Sequence, residues 1–110
     1  MYYLKKKLEI SASHSLSLDY ESKCQSMNGH NWMVTVYCRA MFLNNNGMIV
    51  DFSEIKKWVS DVLDHKCLNE VLTINPTAEN IARWICEQVP FCYKVKVQET
   101  NGNEATYISD

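Results

Sequence analysis

Residues 32–43 read Trp-Met-Val-Thr-Val-Tyr-Cys-Arg-Ala-Met-Phe-Leu. Trp32, Val34, Val36, Cys38, Ala40 and Phe42 fall on one parity. Period two is the spacing of a strand with one buried face, because successive side chains point to opposite sides. Working outward, residues 2–11 alternate in the same way. Tyr2, Leu4, Leu8 and Ile10 share one parity, while Lys5, Lys7 and Glu9 take the other. The run Lys5-Lys6-Lys7 is therefore read as a solvated strand face. The net charge of −2 argues against a nucleic-acid partner, which would favour a basic surface. Downstream, Asn44-Asn45-Asn46-Gly47 signals a turn.

After that turn the period changes. Ile55, Trp58, Val59, Val62 and Leu63 form one stripe at helical spacing, with Ser53 the expected N-cap. A second helix is expected after Pro76, capped by Thr77 and stopped by Pro90. Ile81, Ile85 and Val89 mark its buried side, joined by Ala78, Ala82 and Trp84. Residues 93–100 return to period two, and Asn101-Gly102 turns into a last strand at 105–109. The order ββααββ predicts an α+β fold, an antiparallel sheet with two helices on one face. Residues 1–110 read as a single domain, without repeat, linker or low-complexity segment. Four strands leave open edges, and closing several such sheets into a ring would remove them.

The five cysteines are scattered, odd in number and free of any CxxC pair, so a reducing compartment is expected rather than a disulfide framework. Neither an apolar leader nor eighteen consecutive apolar residues occurs, so the expected location is the cytoplasm, with no membrane partner.

Strand parity picks out the chemistry. If the first strand continues, His14 points to the buried side with Leu8 and Ile10. His30 shares the parity of Trp32 and Val34, with Asn28 two residues before it on the same side. Side chains at i and i+2 of a strand can chelate one ion, and imidazoles suit zinc; the alternative is a pair of satisfied core histidines. Cys24 sits in a polar loop beside Lys23, which would favour a thiolate; a plain loop cysteine is the other reading. Asp64-His65 falls where the first helix ends. It is either a proton-relay pair or a histidine stabilised by the helix C-terminus. Glu99 shares parity with Val95 and Val97, which places a carboxylate on the apolar face and demands a cationic or multi-donor partner, unless it lies past the strand end. Glu79 falls in the first turn of the second helix, where the dipole favours a carboxylate.

These residues occur within ordered motifs: Ser11-Ala12-Ser13-His14, Cys24-x-x-x-Asn28-Gly29-His30-Asn31-Trp32, Gly47-Met48-Ile49-Val50-Asp51-Phe52, Leu63-Asp64-His65-x-x-Leu68-Asn69, Pro76-Thr77-x-Glu79-Asn80-Ile81-Ala82 and Glu99-Thr100. Together they resemble the 6-pyruvoyl-tetrahydropterin synthase / 6-carboxytetrahydropterin synthase family from about residue 3 to 108. The resemblance implies the tunnelling fold, with trimers closing a barrel, two trimers forming a homohexamer, and active sites between subunits. It implies zinc (Zn2+) held by positions matching His14, Asn28 and His30. It also implies a catalytic set of Cys24, Asp64 and His65, the Asp-His pair coming from a neighbouring subunit. Glu99 matches the anchor of the pterin ring, and Thr77 with Glu79 matches the motif beside that pocket. Three residues between the cysteine and the metal pair resemble the bacterial 6-carboxytetrahydropterin synthases of queuosine biosynthesis, whose substrate is 7,8-dihydroneopterin triphosphate. The family's His-Gly-His is here Asn28-Gly29-His30, and an amide oxygen is a poor zinc donor beside imidazole. Two classes of function therefore compete: a zinc-dependent lyase, in 6-carboxy or 6-pyruvoyl form, and a non-catalytic pterin-binding hexamer.

Overall fold

A computed structural model describes residues 1–110. Strand β1 (Tyr2–His14) and strand β2 (Asn28–Ala40) form a long antiparallel hairpin-like pair in continuous register from Tyr2↔Ala40 to His14↔Asn28. Between them lies a 3-10 turn at Lys23–Gln25, closed by a capping box from Ser22. Helix α1 (Phe52–Leu63), strand β3 (Lys66–Cys67), helix α2 (Leu68–Val71) and helix α3 (Ala78–Gln88) follow. Strands β4 (Cys92–Thr100) and β5 (Asn103–Ile108) complete the chain. The α+β arrangement expected from the alternation is the one observed.

Three expectations need correction. The sheet has five strands, in the order β3-β1-β2-β4-β5, and β3 runs parallel to β1. Two residues are too few for a period to register, so neither β3 nor the one-turn helix α2 was legible. The α1 cap is Asp51 rather than Ser53: Oδ1 of Asp51 accepts from both the backbone N–H and the hydroxyl of Ser53, each at 2.8 Å. Two cap-competent residues two positions apart differ in which backbone turns helical first, and here the chain turns two residues earlier. Phe42 lies beyond the end of β2 and is 84% exposed, so it does not continue the buried face.

The core follows the parity read from sequence. Trp32, Val34, Val36 and Cys38 of β2 are fully buried, packed with Ile10 of β1 and Val95 and Val97 of β4. The α1 stripe buries Ile55, Val59 and Leu63 and packs over β1. The α3 stripe buries Ile81, Ala82 and Ile85 over β4 and β5. Thr77 caps α3 as expected, its hydroxyl accepting from the Asn80 N–H at 3.1 Å. No helix is long and apolar enough to cross a membrane.

Candidate metal centre and its flanking grooves

Register places the histidines. Ala12 pairs with His30 and His14 pairs with Asn28, so all three polar side chains share the face that carries Trp32 and Ile10. His14 is 3% exposed. Its Nδ1 lies 2.8 Å from the carbonyl oxygen of Pro76. A carbonyl can only accept, so Nδ1 carries a proton and Nε2 is the nitrogen turned toward the site. Trp32 supports both imidazoles edge-on, with ring centroids 4.8 Å from His14 and 5.3 Å from His30. Its indole N–H donates to the Ala12 carbonyl at 3.1 Å, which locks the ring.

Glu99 closes the site from β4. Its Oε1 lies 2.8 Å from His30 Nε2 and 3.4 Å from His14 Nε2, and the donor atoms of the three residues lie within 4.8 Å of one another. The pairing of β4 with β5 shifts between Gln98 and Thr100, so Glu99 is the extra residue of a bulge, a device that re-aims a side chain. Parity had put the carboxylate on this face; its approach to both imidazoles depends on the bulge and on the neighbouring strand. Two imidazoles and a carboxylate are a zinc-type donor set, so the residues present fit such an ion. Asn28 lies opposite His14, and its amide nitrogen donates to the Ser26 carbonyl at 2.6 Å.

Asp64 and His65 grip the other side of β1. Oδ1 of Asp64 accepts from the Ser11 N–H at 2.7 Å, and the His65 N–H donates to the Ser11 carbonyl at 2.6 Å. His65 has φ 59°, a left-handed conformation that costs a non-glycine residue strain, and those two hydrogen bonds hold it there. Its imidazole is 82% exposed and stands 3.6 Å from Asp64 Oδ2, an ion-pair approach longer than a hydrogen bond. His65 and His30 line one groove of about 410 Å³ with Ser11, Ser13, Lys66 and Cys67. Cys24 stands apart on the exposed 3-10 turn, its N–H on Ser22 Oγ and its carbonyl accepting from Leu16.

A second groove, of about 290 Å³, runs between the start of α3 and the β4–β5 turn and is lined by Glu79 and Glu99. Glu99, which by resemblance matches the pterin anchor, and Glu79, which matches the motif beside that pocket, line the same groove. The Thr77 hydroxyl is engaged as the helix cap.

Sequence reading missed the loop clamps. The Asn69 side chain pairs with both backbone groups of Ser15, at 2.9 and 2.8 Å, and Asn75 does the same for Ser17, at 2.8 and 3.0 Å. These amides fix the segment joining His14 to Cys24. Asparagine next to Pro76 was a visible turn signal, but its partner lies 58 residues away.

The other three cysteines form their own cluster at the far end. Cys38 and Cys92 are paired across β2 and β4, and Cys86 of α3 donates toward the Cys92 carbonyl. A hydrogen bond from Cys92 holds the Cys38 thiol below its usual value and pushes Cys92 up; burial pushes Cys86 up to about 12.

The family model described as "6-pyruvoyl tetrahydropterin synthase" matches residues 3–110. A Bacillus subtilis 6-carboxy-5,6,7,8-tetrahydropterin synthase is 28% identical, over 96% of this chain and 84% of that protein. A Dictyostelium discoideum 6-pyruvoyl tetrahydrobiopterin synthase is 32% identical, over 89% of both chains. The solved Caenorhabditis elegans 6-pyruvoyl tetrahydropterin synthase superposes with a TM-score of 0.77 at 26% identity, covering 99% of this chain and 96% of that one. With the match spanning nearly every residue and the fold shared, this chain belongs to the 6-pyruvoyl tetrahydropterin synthase family.

Proposed function

We propose that the chain is a zinc-dependent pterin lyase, a 6-carboxy-5,6,7,8-tetrahydropterin synthase of queuosine biosynthesis. It would convert 7,8-dihydroneopterin triphosphate and one water to 6-carboxytetrahydropterin with release of acetaldehyde and triphosphate. The observation that carries the reading is the convergence of His14 Nε2, His30 Nε2 and the Glu99 carboxylate, with Asp64-His65 on the adjoining edge. The three-residue spacing from Cys24 to Asn28 favours the 6-carboxy product over the 6-pyruvoyl one.

His14 and His30 would hold the ion, with Asn28 at the position of the family's third histidine. When bound, zinc supplies Lewis acidity toward a side-chain oxygen of the substrate. Glu99 would accept hydrogen bonds from the amino and ring N–H groups of the pterin, with Thr77 and Glu79 beside that pocket. The Cys24 thiolate takes a proton from the substrate side chain, and His65 returns one, with Asp64 setting its tautomer. Cys24 and the Asp64-His65 pair lie on separate parts of one chain. The reading therefore includes a cytoplasmic homohexamer whose sites combine them across subunits.

The test is incubation of the zinc-loaded protein with 7,8-dihydroneopterin triphosphate. Stoichiometric acetaldehyde, triphosphate and 6-carboxytetrahydropterin are expected by mass spectrometry. A 6-pyruvoyl product without acetaldehyde would move the chain to the sister reaction. Asn28 favours a second reading, a pterin-binding hexamer without turnover. Tight pterin binding with no product would select it.

A further inference from the structure

We infer that Glu99 is the third metal ligand of this chain, making a two-histidine, one-carboxylate centre where position 28 supplies no imidazole. The inference deepens the zinc-dependent reading above and rests on it. Three observations carry it. His14 Nδ1 donates to Pro76, which leaves Nε2 as the nitrogen that faces Glu99 Oε1, 3.4 Å away. An ion seated between that nitrogen and the carboxylate would take both as ligands.

Second, the same Oε1 lies 2.8 Å from His30 Nε2, so one oxygen addresses both imidazoles. The three donor atoms fall within 4.8 Å of one another, a span that a single ion bridges. Third, the amide nitrogen of Asn28 is fixed on Ser26, and an amide oxygen competes poorly for zinc with a carboxylate already in place. The bulge at Glu99 delivers that carboxylate from β4. Glu99 also lines the groove it shares with Glu79, so the metal and the pterin pocket meet at one residue.

The experiment titrates Zn2+ and Co2+ into the parent chain, Glu99→Gln, Glu99→Asp and Asn28→Ala. Affinity is read by chelator competition and coordination by the visible Co2+ spectrum. Loss of a mere outer-shell partner costs about 10–100-fold in affinity, so Glu99→Gln should lose about 100-fold or more. Its cobalt absorption should collapse. Asn28→Ala should leave both unchanged, and Glu99→Asp, which keeps a carboxylate, should fall between. Undiminished affinity and spectrum in Glu99→Gln, or an equal loss in Asn28→Ala, overturns the assignment. Circular dichroism of the metal-free chains reads the fold. Should Glu99→Gln not fold, Glu99→Asp decides: weakened binding with an altered spectrum supports the ligand role, and identical behaviour to the parent overturns it. Failure of the underlying reading looks different. A zinc-loaded parent chain that leaves dihydroneopterin triphosphate untouched sinks the lyase and spares the ligand set.

Discussion

Cys24, Asp64 and His65 reach their proposed roles by different local means, and single substitutions separate them. Cys24 is exposed on the 3-10 turn, whereas Cys86 is buried with its thiol pushed up to about 12. Iodoacetamide at mildly alkaline pH should therefore label Cys24 fastest and leave Cys86 and Cys92 intact, as peptide mapping would show. Cys24→Ser should then abolish turnover without lowering zinc content, because Cys24 hydrogen-bonds to neither histidine. A cysteine variant that lost its metal would place Cys24 in the centre instead. Trp32 acts through others: it buttresses both imidazoles and fills the middle of the core. Trp32→Ala should cost about 3–5 kcal/mol of stability in denaturant unfolding. Trp32→Phe, which keeps an aromatic ring, should cost less and still weaken metal binding.

Helix ends carry the next level of organisation. Thr77 caps α3 beside Pro76, whose carbonyl orients His14, so the cap and the metal ligand share one turn. Thr77→Ala should lower stability by about 1 kcal/mol in thermal or denaturant melts. At α1 the cap is ionisable. Hydrogen bonds from Ser53 hold the Asp51 carboxyl below its usual value of 3.8, so folding favours its charged form. The stabilisation is present above the usual carboxylate value and is lost as pH falls through the depressed one. The stability gap between the parent and Asp51→Ala should thus be constant near neutrality and close below about pH 4. A gap that persisted in acid would show that Asp51 acts without its charge.

The whole molecule is longer than its chain length requires. Its radius of gyration is 14.7 Å, against about 13 Å expected for a compact domain of this size. The excess comes with extents of 51 × 26 × 26 Å. Tyr2, Tyr3, Met41, Phe42 and Phe91 stand exposed around the end of the long β1–β2 pair away from the histidines. β5 and the two-residue β3 are the sheet edges, and an unpaired edge together with an apolar end is what association would cover. Light scattering at micromolar concentration should give the mass of six chains, and Phe42→Glu should reduce it. A monomeric parent would remove the shared active site from the proposal.

Strand parity and helical spacing by themselves determine much of this protein. Trp32, Val34 and Val36 share the parity of a core face, and His14, His30 and Glu99 fall on the same side wherever their strands continue. Parity is local, so it ranks faces without measuring distances across them. It could not foresee β3, too short to show a period, or the choice of Asp51 over Ser53 as cap. Nor could it show that Pro76 would fix the tautomer of His14 from 62 residues away. The decisive contact, Glu99 against both imidazoles, belongs to the tertiary structure alone. It requires three strands in one register and a bulge to bring the carboxylate within reach of both rings, and none of those is a property of neighbouring residues in the chain.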